Sequence, residues 1–124
     1  MNSHILIVDD EAPIREMLRL ALTRRGYRVT DVASAFEVES AVRHDPPDLI
    51  VSDLQLEDSD GLAMIAQLKK SHPNVPVLLL TGVFLDPEVV HGTLGNQITA
   101  YLHKTASLSK IMEEIDRLVR EKQA

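Results

Sequence analysis

The sequence predicts an α/β fold, in which a single doubly wound sheet of five parallel strands carries helices on both of its faces. Short, continuous apolar runs alternate along the chain with segments whose apolar residues recur every three or four positions, and this alternation is typical of strand–helix units. The 124 residues contain no internal repeat, low-complexity stretch or linker. We therefore expect one domain over residues 1–124, with its core in residues 4–120.

Three strands and two helices are predicted in the first half of the chain. Continuous apolar runs indicate the first and third strands, whereas the second carries charges beside Val29 and Val32 and is expected nearer an edge of the sheet. Helix 1 begins near Pro13 and ends by Gly26, and helix 2 is capped by Ser34. The predicted strands are Ile5–Val8, Tyr27–Val32 and Leu49–Ser52.

The second half of the chain contains two further strands and three predicted helices. Pro73 closes the third helix, and Ser107 caps a last helix that has a continuous apolar stripe. The fourth helix opens at Asp86 but is weakened by Gly92 and Gly95, and the alternative is a four-plus-one sheet with a loop in place of this helix. The predicted strands are Val75–Thr81 and Thr99–Leu102.

Composition restricts the kind of protein that the chain can be. The formal net charge of −6 argues against nucleic-acid binding through a basic patch of this chain, and no apolar run is long enough to span a bilayer. The N-terminus lacks the basic region and apolar stretch of a signal peptide, and no cysteine is available for disulfides or thiolate chemistry. We therefore expect a cytoplasmic protein without a membrane partner.

Reactive side chains are predicted to meet at one edge of the sheet. They are Asp9 and Asp10 after the first strand, Asp53 after the third, Thr81 at the end of the fourth, and Lys104 after the fifth. Open α/β sheets keep their ligand crevice outside the carboxyl ends of the strands, so we expect these groups to converge there.

The expected convergence indicates phosphoryl chemistry. Three neighbouring carboxylates raise one another's pKa unless a cation relieves them, and an all-oxygen ligand set suits a hard ion such as Mg²⁺ or Mn²⁺. Asp53 could be the nucleophile that accepts a phosphoryl group, while the metal, Lys104 and the Thr81 hydroxyl each hold one phosphoryl oxygen. Taken singly, Asp9 and Asp10 could instead cap the first helix, and Lys104 could be a solvated surface amine.

Five sequence motifs together resemble the receiver domains of response regulators, and the resemblance covers residues 4–120. The motifs are Ile7-Val8-Asp9-Asp10-Glu11, Leu49-Ile50-Val51-Ser52-Asp53, Asp60-Gly61-Leu62, Leu80-Thr81-Gly82 and Tyr101-Leu102-His103-Lys104. The resemblance implies a flavodoxin-like strand order, 2-1-3-4-5. It also implies that Asp53 is phosphorylated and that Asp10 binds the metal directly. Asp9 would bind the metal through water, and the Gln55 backbone carbonyl would complete the site.

The same resemblance implies a signalling switch that catalyses only its own phosphorylation and dephosphorylation. A histidine kinase or a histidine phosphotransfer protein would donate the phosphoryl group. Thr81 would move towards that group and Tyr101 would rotate into the vacated space, changing the surface of helix 4, strand 5 and helix 5. A downstream protein or a missing effector domain would read this surface, and a phosphorylation-dependent homodimer could form. The alternative is a pseudo-receiver that acts as a constitutive protein-interaction module.

Three departures from the receiver pattern concern loops. Leu56-Glu57 replaces Met-Pro, Gln97-Ile98 replaces Gly-Ala, and Thr105 replaces the proline that follows the lysine. A cis bond before a residue other than proline costs about 3–4 kcal/mol, so we expect a trans Lys104–Thr105 bond. Lys104 should still reach the pocket through its flexible stem, with a looser contact in the metal-free state.

Two further predictions concern side chains away from the site. Asp116 and Arg120 on the last helix have the spacing of a solvated i,i+4 ion pair. The five histidines show no spacing typical of metal ligands and are predicted to lie at the surface or its boundary. They are His4, His44, His72, His91 and His103.

Overall fold

A sheet of five parallel strands forms the centre of the molecule, in the order β2-β1-β3-β4-β5. The computed structural model describes residues 2–56, 58, 60–86, 88 and 98–123. The strands are β1 (His4–Val8), β2 (Arg28–Val32), β3 (Leu49–Ser52), β4 (Val77–Thr81) and β5 (Ala100–His103). All neighbouring strands pair in parallel, so the predicted fold class and strand order are confirmed.

The described residues include four α-helices and one short 3₁₀-helix. They are α1 (Ala12–Arg24), the 3₁₀-helix (Ala35–Glu37), α2 (Val38–His44), α3 (Gly61–Ser71) and the C-terminal helix (Leu108–Gln123). None of these helices is long and apolar enough to cross a membrane. The predicted fourth helix, from Asp86 through Gly92 and Gly95, falls mainly outside the described residues.

Burial of the strands follows their place in the sheet. Every residue of β1, β3 and β4 is buried, because helices cover these central strands on both faces. β2 lies at one end of the strand order and leaves Arg28 exposed. The edge position predicted for the second strand is therefore confirmed.

Two apolar cores lie on opposite faces of the sheet. Successive side chains of a strand point to opposite faces, so Leu6 and Val8 pack on one side while Ile5 and Ile7 pack on the other. The helical residues of the first core are Val38, Val42, Met64, Ile65 and Leu68, and those of the second are Leu18, Leu22, Ile111, Met112, Ile115, Leu118 and Val119. The prediction of helices on both faces is confirmed.

The ends of the helices follow the predicted signals except at α2. Pro13 occupies the first turn of α1, and Gly26 just beyond this helix has a φ of 93°, which favours glycine. Ser107 Oγ accepts a hydrogen bond from the Lys110 N–H at 3.1 Å and so caps the C-terminal helix. Ser34 precedes the 3₁₀-helix instead of α2, which begins only after that short helix.

Two of the side-chain predictions are wrong. His4 is only 2% exposed, and its Nε2 lies 2.7 Å from Thr30 Oγ1, which gives the buried ring a polar partner. Asp116 binds the Arg25 guanidinium and the Tyr27 hydroxyl instead of its predicted helical partner. These contacts join the C-terminal helix to the end of α1.

Candidate functional site

The carboxyl ends of four strands bring polar side chains to one edge of the sheet. Asp9 follows β1, Asp53 follows β3, Thr81 ends β4, and Lys104 follows β5. An open pocket of about 390 Å³ lies at this edge and is lined by Asp10, Glu11, Asp53, Gln55, Gly82 and Lys104. The structure therefore brings the predicted acids and the predicted lysine together in one place.

Asp9, Asp10 and Asp53 form a cluster of carboxylates. One oxygen atom from each side chain lies within 4.8 Å of the others. Asp9 and Asp53 are 3% and 6% exposed, whereas Asp10 is half-buried. The Glu11 N–H donates to Asp9 Oδ1 at 2.9 Å, and the Arg15 guanidinium donates to the Asp9 carbonyl at 2.7 Å. The start of α1 thus fixes the cluster relative to the sheet.

Lys104 places its ammonium group among the acids. Its Nζ lies 2.8 Å from Asp53 Oδ2 and 3.0 Å from Asp9 Oδ2, and it also contacts the Glu11 carboxylate. Burial alone would lower the pKa of Lys104, but hydrogen bonds to the three carboxylates outweigh burial and raise this pKa above its usual value. The ammonium is therefore a fixed cation of the site.

The acid cluster fits the predicted magnesium site. Burial raises the pKa of Asp9, and the hydrogen bonds from the Glu11 N–H and the Lys104 amine offset only part of this increase. The cluster therefore gains from a further cation that would share its charge. Its ligand atoms are all oxygens, which suit a hard divalent ion such as Mg²⁺, and Gln55 lines the same pocket.

Gly61 holds the loop that follows β3 close to the central acid. Its N–H donates to the Leu54 carbonyl at 2.9 Å. A Cβ at this position would lie 2.4 Å from the Asp53 carbonyl oxygen and 2.5 Å from that of Leu54, so glycine is required for the close approach. The Gln55 N–H also donates to Asp53 Oδ1 at 3.3 Å. The loop thereby orients the Asp53 carboxylate.

The two predicted switch residues contact the same short segment after β4. The Thr81 side chain is fully buried, and its Oγ1 accepts a hydrogen bond from the Val83 N–H at 3.2 Å. The Tyr101 hydroxyl donates to the Val83 carbonyl at 3.1 Å and accepts from the Leu85 N–H at 3.4 Å. Thr81 and Tyr101 are therefore connected through the backbone of this segment.

The turn after β5 delivers the lysine without a cis peptide bond. The Lys104–Thr105 bond is trans, as predicted. The Lys104 N–H donates to the Thr81 carbonyl at 2.8 Å, which continues the pairing of β4 with β5 up to the site. The expectation of a looser contact is wrong for this structure, since the amine bonds directly to Asp53.

Sequence reasoning did not assign a role to Glu11 or His103. Glu11 is the third acid of a consecutive acidic run, and that extra charge beside the predicted site was the available signal. The His103 ring stacks on the Phe84 ring with centroids 3.8 Å apart, and its Nε2 lies 3.0 Å from the Gly82 carbonyl oxygen. The stacked pair therefore packs beside the pocket.

A parallel sheet of this order, with acids after β1 and β3 and a lysine after β5, defines a class of signalling domain. The family model described as response regulator receiver domain matches residues 5–116. The chain belongs to this family, whose members are the receiver domains of two-component response regulators and function as signalling modules.

Two curated relatives and one solved structure show the same similarity. The chain is 31% identical over 114 residues to the transcriptional regulatory protein GlrR of Escherichia coli, an alignment that covers 92% of this chain and 26% of the relative. It is 32% identical over 117 residues to the probable transcriptional regulatory protein TcrX of Mycobacterium tuberculosis, covering 94% and 49%. The chain therefore spans about a quarter and about half the length of these relatives. The structure of a CheY-like response regulator receiver domain protein from Methanospirillum hungatei JF-1 matches with a TM-score of 0.90 at 25% identity, covering 99% of this chain and 98% of that one.

Proposed function

We propose that the chain is a phospho-accepting switch in which Asp53 receives the phosphoryl group. The observation that carries this proposal is the Lys104 amine, 2.8 Å from Asp53 Oδ2, within a cluster of three acids beside an open pocket. A carboxylate nucleophile, a fixed cation and a metal-binding set are the groups that phosphoryl transfer requires.

The proposed transfer uses the Asp53 carboxylate as nucleophile. One of its oxygens attacks the phosphorus of a phosphohistidine, a P–O bond forms as the P–N bond breaks, and the leaving imidazole nitrogen takes up a proton. Lys104 binds one phosphoryl oxygen, and the Thr81 hydroxyl binds another. Later attack by water on phosphorus breaks the P–O bond and returns the Asp53 carboxylate with inorganic phosphate.

The proposed metal ligands are the three clustered acids and one backbone carbonyl. Asp10 and Asp53 would bind the ion directly, Asp9 would bind it through water, and Gln55 would offer its backbone carbonyl oxygen. Mg²⁺, or Mn²⁺ in its place, would neutralise charge on the phosphoryl oxygens. The spacing of the carboxylate oxygens, within 4.8 Å of one another, supports this assignment.

The proposed output depends on Thr81 and Tyr101. When Thr81 turns its hydroxyl to the phosphoryl group, it gives up its hydrogen bond with the Val83 N–H. Tyr101 holds the carbonyl of the same residue, so the segment after β4 and the tyrosine ring shift together. The altered surface includes β5 and the C-terminal helix, together with the predicted fourth helix that lies outside the described residues.

The proposed partners follow from the relatives and the site. A histidine kinase or histidine phosphotransfer protein supplies the phosphoryl group in the cytoplasm. A downstream protein or an attached effector domain reads the switch, as the names of the longer relatives suggest for their own chains. Residues 1–124 form the receiver domain with its core in residues 4–120, and phosphorylation promotes a homodimer.

Labelling with a small phosphodonor tests the proposal. Acetyl phosphate and Mg²⁺ should add the mass of one phosphoryl group to the wild-type protein. Asp53→Asn keeps the side-chain volume and should abolish the mass gain while the circular dichroism spectrum stays unchanged. Full labelling of Asp53→Asn would overturn the assignment of Asp53, and an unlabelled wild type would favour the pseudo-receiver alternative.

A further inference from the structure

The Lys104 ammonium already has as many carboxylate partners as it has hydrogens to donate. An ammonium group has three N–H donors. Its partners are Asp53 Oδ2 at 2.8 Å, Asp9 Oδ2 at 3.0 Å and the carboxylate of Glu11. A phosphoryl oxygen can therefore bind Lys104 only when one of these carboxylates lets the amine go.

The three carboxylates differ in how readily they can release the amine. The side chains of Asp9 and Asp53 are 4% and 7% exposed, whereas that of Glu11 is 56% exposed. Asp9 keeps its charge when Asp53 is phosphorylated, and a buried carboxylate that loses its cation is left without solvent to replace it, which is costly. When Oδ1 of Asp53 forms the P–O bond, Oδ2 remains as the acyl oxygen and still accepts an N–H of Lys104. Water can solvate the exposed Glu11 carboxylate at once, so its ion pair with Lys104 is the weakest of the three.

We propose that Glu11 is a positioning residue that holds the third donor of Lys104 and hands it to the phosphoryl oxygen when Asp53 is phosphorylated. The inference rests on the proposed function, because it gives Lys104 its phosphoryl-binding role. Glu11 pre-orients the amine towards the pocket and competes with the incoming phosphoryl group for the same N–H. Its contact with Lys104 therefore slows phosphorylation.

A matched pair of substitutions tests this competition. Glu11→Gln removes the competing charge at nearly constant volume, and Glu16→Gln removes the same charge from an exposed position on α1. At saturating Mg²⁺, the rate constant for labelling by acetyl phosphate should rise about two- to fivefold in Glu11→Gln, the size expected for releasing a half-exposed ion pair. Equal rates for Glu11→Gln and Glu16→Gln would overturn the inference.

A double-mutant cycle separates the effect on Lys104 from simple repulsion of the anionic donor. If Glu11 acts through the amine, Glu11→Gln should have no effect on the labelling rate once Lys104 is replaced by methionine. If Glu11 only repels acetyl phosphate, the acceleration should persist in the Lys104→Met background, and the inference would be wrong. Both backgrounds are compared at the same ionic strength, since salt screens the repulsive term.

Nuclear magnetic resonance gives a third test, which begins with the wild-type protein. The ¹³C signal of the Glu11 side-chain carboxylate should move on phosphorylation, because the amine leaves it, and an unchanged signal would contradict the handover. In chelator, without any phosphodonor, Glu11→Gln should also shift the Lys104 ammonium signal, and no shift would remove the proposed contact. Failure of the wild type to be labelled would overturn the proposed function and the handover, whereas labelling with an unmoved Glu11 signal would overturn only the handover.

Discussion

Lys104 Nζ lies 2.8 Å from Asp53 Oδ2, although 51 positions separate the two residues in the chain. The pairing of β4 with β5 makes this contact, because His103 lies opposite Thr81 and the next residue leaves the sheet at the pocket. The cation is therefore set in place by the sheet itself. In the proposed function, the amine is therefore within hydrogen-bond distance of Asp53 before a phosphoryl group arrives.

Replacing the lysine should affect both stability and labelling. Lys104→Met leaves the buried carboxylates of Asp9 and Asp53 without their shared cation, and loss of one partner from a buried ion pair costs about 3 kcal/mol or more. Urea unfolding at pH 7 in chelator should show this loss, and added Mg²⁺ should restore part of it. Lys110→Met, at an exposed lysine of the C-terminal helix, should change neither quantity and is the control.

Magnesium should stabilise the wild-type protein through Asp10 more than through Asp9. An ion that binds only the folded state at ten times its dissociation constant adds about 1.4 kcal/mol to the free energy of unfolding. Asp10→Ala should lose most of this gain because a direct ligand is removed, and Asp9→Ala should lose less if its contact is through water. Thermal melts over a magnesium series measure both effects, and equal labelling of the wild type in excess chelator would contradict the metal role.

Gly61→Ala should disturb the site by displacing the backbone of Asp53. The new Cβ would lie 2.4 Å from the Asp53 carbonyl oxygen, so the backbone at Asp53 must move, with an expected cost of about 1–3 kcal/mol. Labelling by acetyl phosphate should fall with it. Gly82→Ala is the matched control, since its Cβ would meet only the Lys104 Cδ, at 4.0 Å. Equal free energies of unfolding for the two variants would contradict this prediction and would show that the loop after β3 can move at little cost.

Thr81→Ala should separate labelling from the conformational change. The variant keeps Asp53 and Lys104 and should accept a phosphoryl group, although more slowly. It lacks the hydroxyl that is proposed to move from the Val83 N–H to the phosphoryl oxygen, so the Tyr101 ring should keep its environment. Ring signals of Tyr101 measured before and after labelling test this, and identical wild-type signals in both states would refute the coupling.

The contact between Tyr27 and Asp116 should make the fold sensitive to alkaline pH. Burial, together with the hydrogen bond to Asp116, raises the pKa of Tyr27 from 10.0 to about 12. The protonated phenol is favoured in the folded state, so its contribution is complete below pH 10 and is lost as the pH rises from 10 towards 12. Tyr27→Phe should cost about 1 kcal/mol at pH 8, a value kept low by partial exposure, and the difference from wild type should shrink by pH 12. Urea unfolding at both pH values measures the difference in free energy of unfolding between the two proteins. A difference that stays constant would contradict the raised pKa of Tyr27.

Features that depend on the local pattern could be predicted from the sequence. The strands that end at Val8, Ser52 and Thr81 each contain a continuous apolar run and are buried at every position, which is typical of a strand covered on both faces. Parallel pairing then places the residues that follow them at one edge. The convergence of Asp9, Asp53 and Lys104 thus followed from strand ends and from the resemblance to receiver domains.

Three side-chain contacts with partners distant in the chain were not predicted. The helical spacing of Asp116 indicated a neighbour on its own helix, but Arg25 and Tyr27 bind it from the end of α1. His4 was predicted to lie at the surface or its boundary, but the Thr30 hydroxyl of the neighbouring strand gives its ring a polar partner and allows its burial. Glu11 likewise acquired its contact with Lys104 only when β5 brought that residue to the pocket.

The 3₁₀-helix after β2 was not predicted because it also depends on a contact between distant parts of the chain. Ser34 suggested the start of a regular α-helix, but the Asp58 carboxylate accepts the N–H groups of Ala35 and Phe36 at 3.0 and 3.1 Å. This acid comes from the loop after β3, and its acceptance of two backbone donors lowers its pKa. The sequence around Ser34 does not contain this acid, so the 3₁₀-helix could not be predicted from that segment alone.

The hydrogen bond from Gln123 Nε2 to Ser3 Oγ, at 2.7 Å, places the end of the C-terminal helix far from the pocket. It lies at the amino end of β1, while Asp9 and the pocket lie at the carboxyl end. Five residues of extended chain measure about 17 Å, roughly twice the range over which physiological salt screens a surface charge. The electrostatic field of a phosphoryl group on Asp53 would therefore be weak at a segment joined to Gln123. Such a segment would respond to a mechanical displacement of the C-terminal helix, transmitted through side chains packed against the sheet.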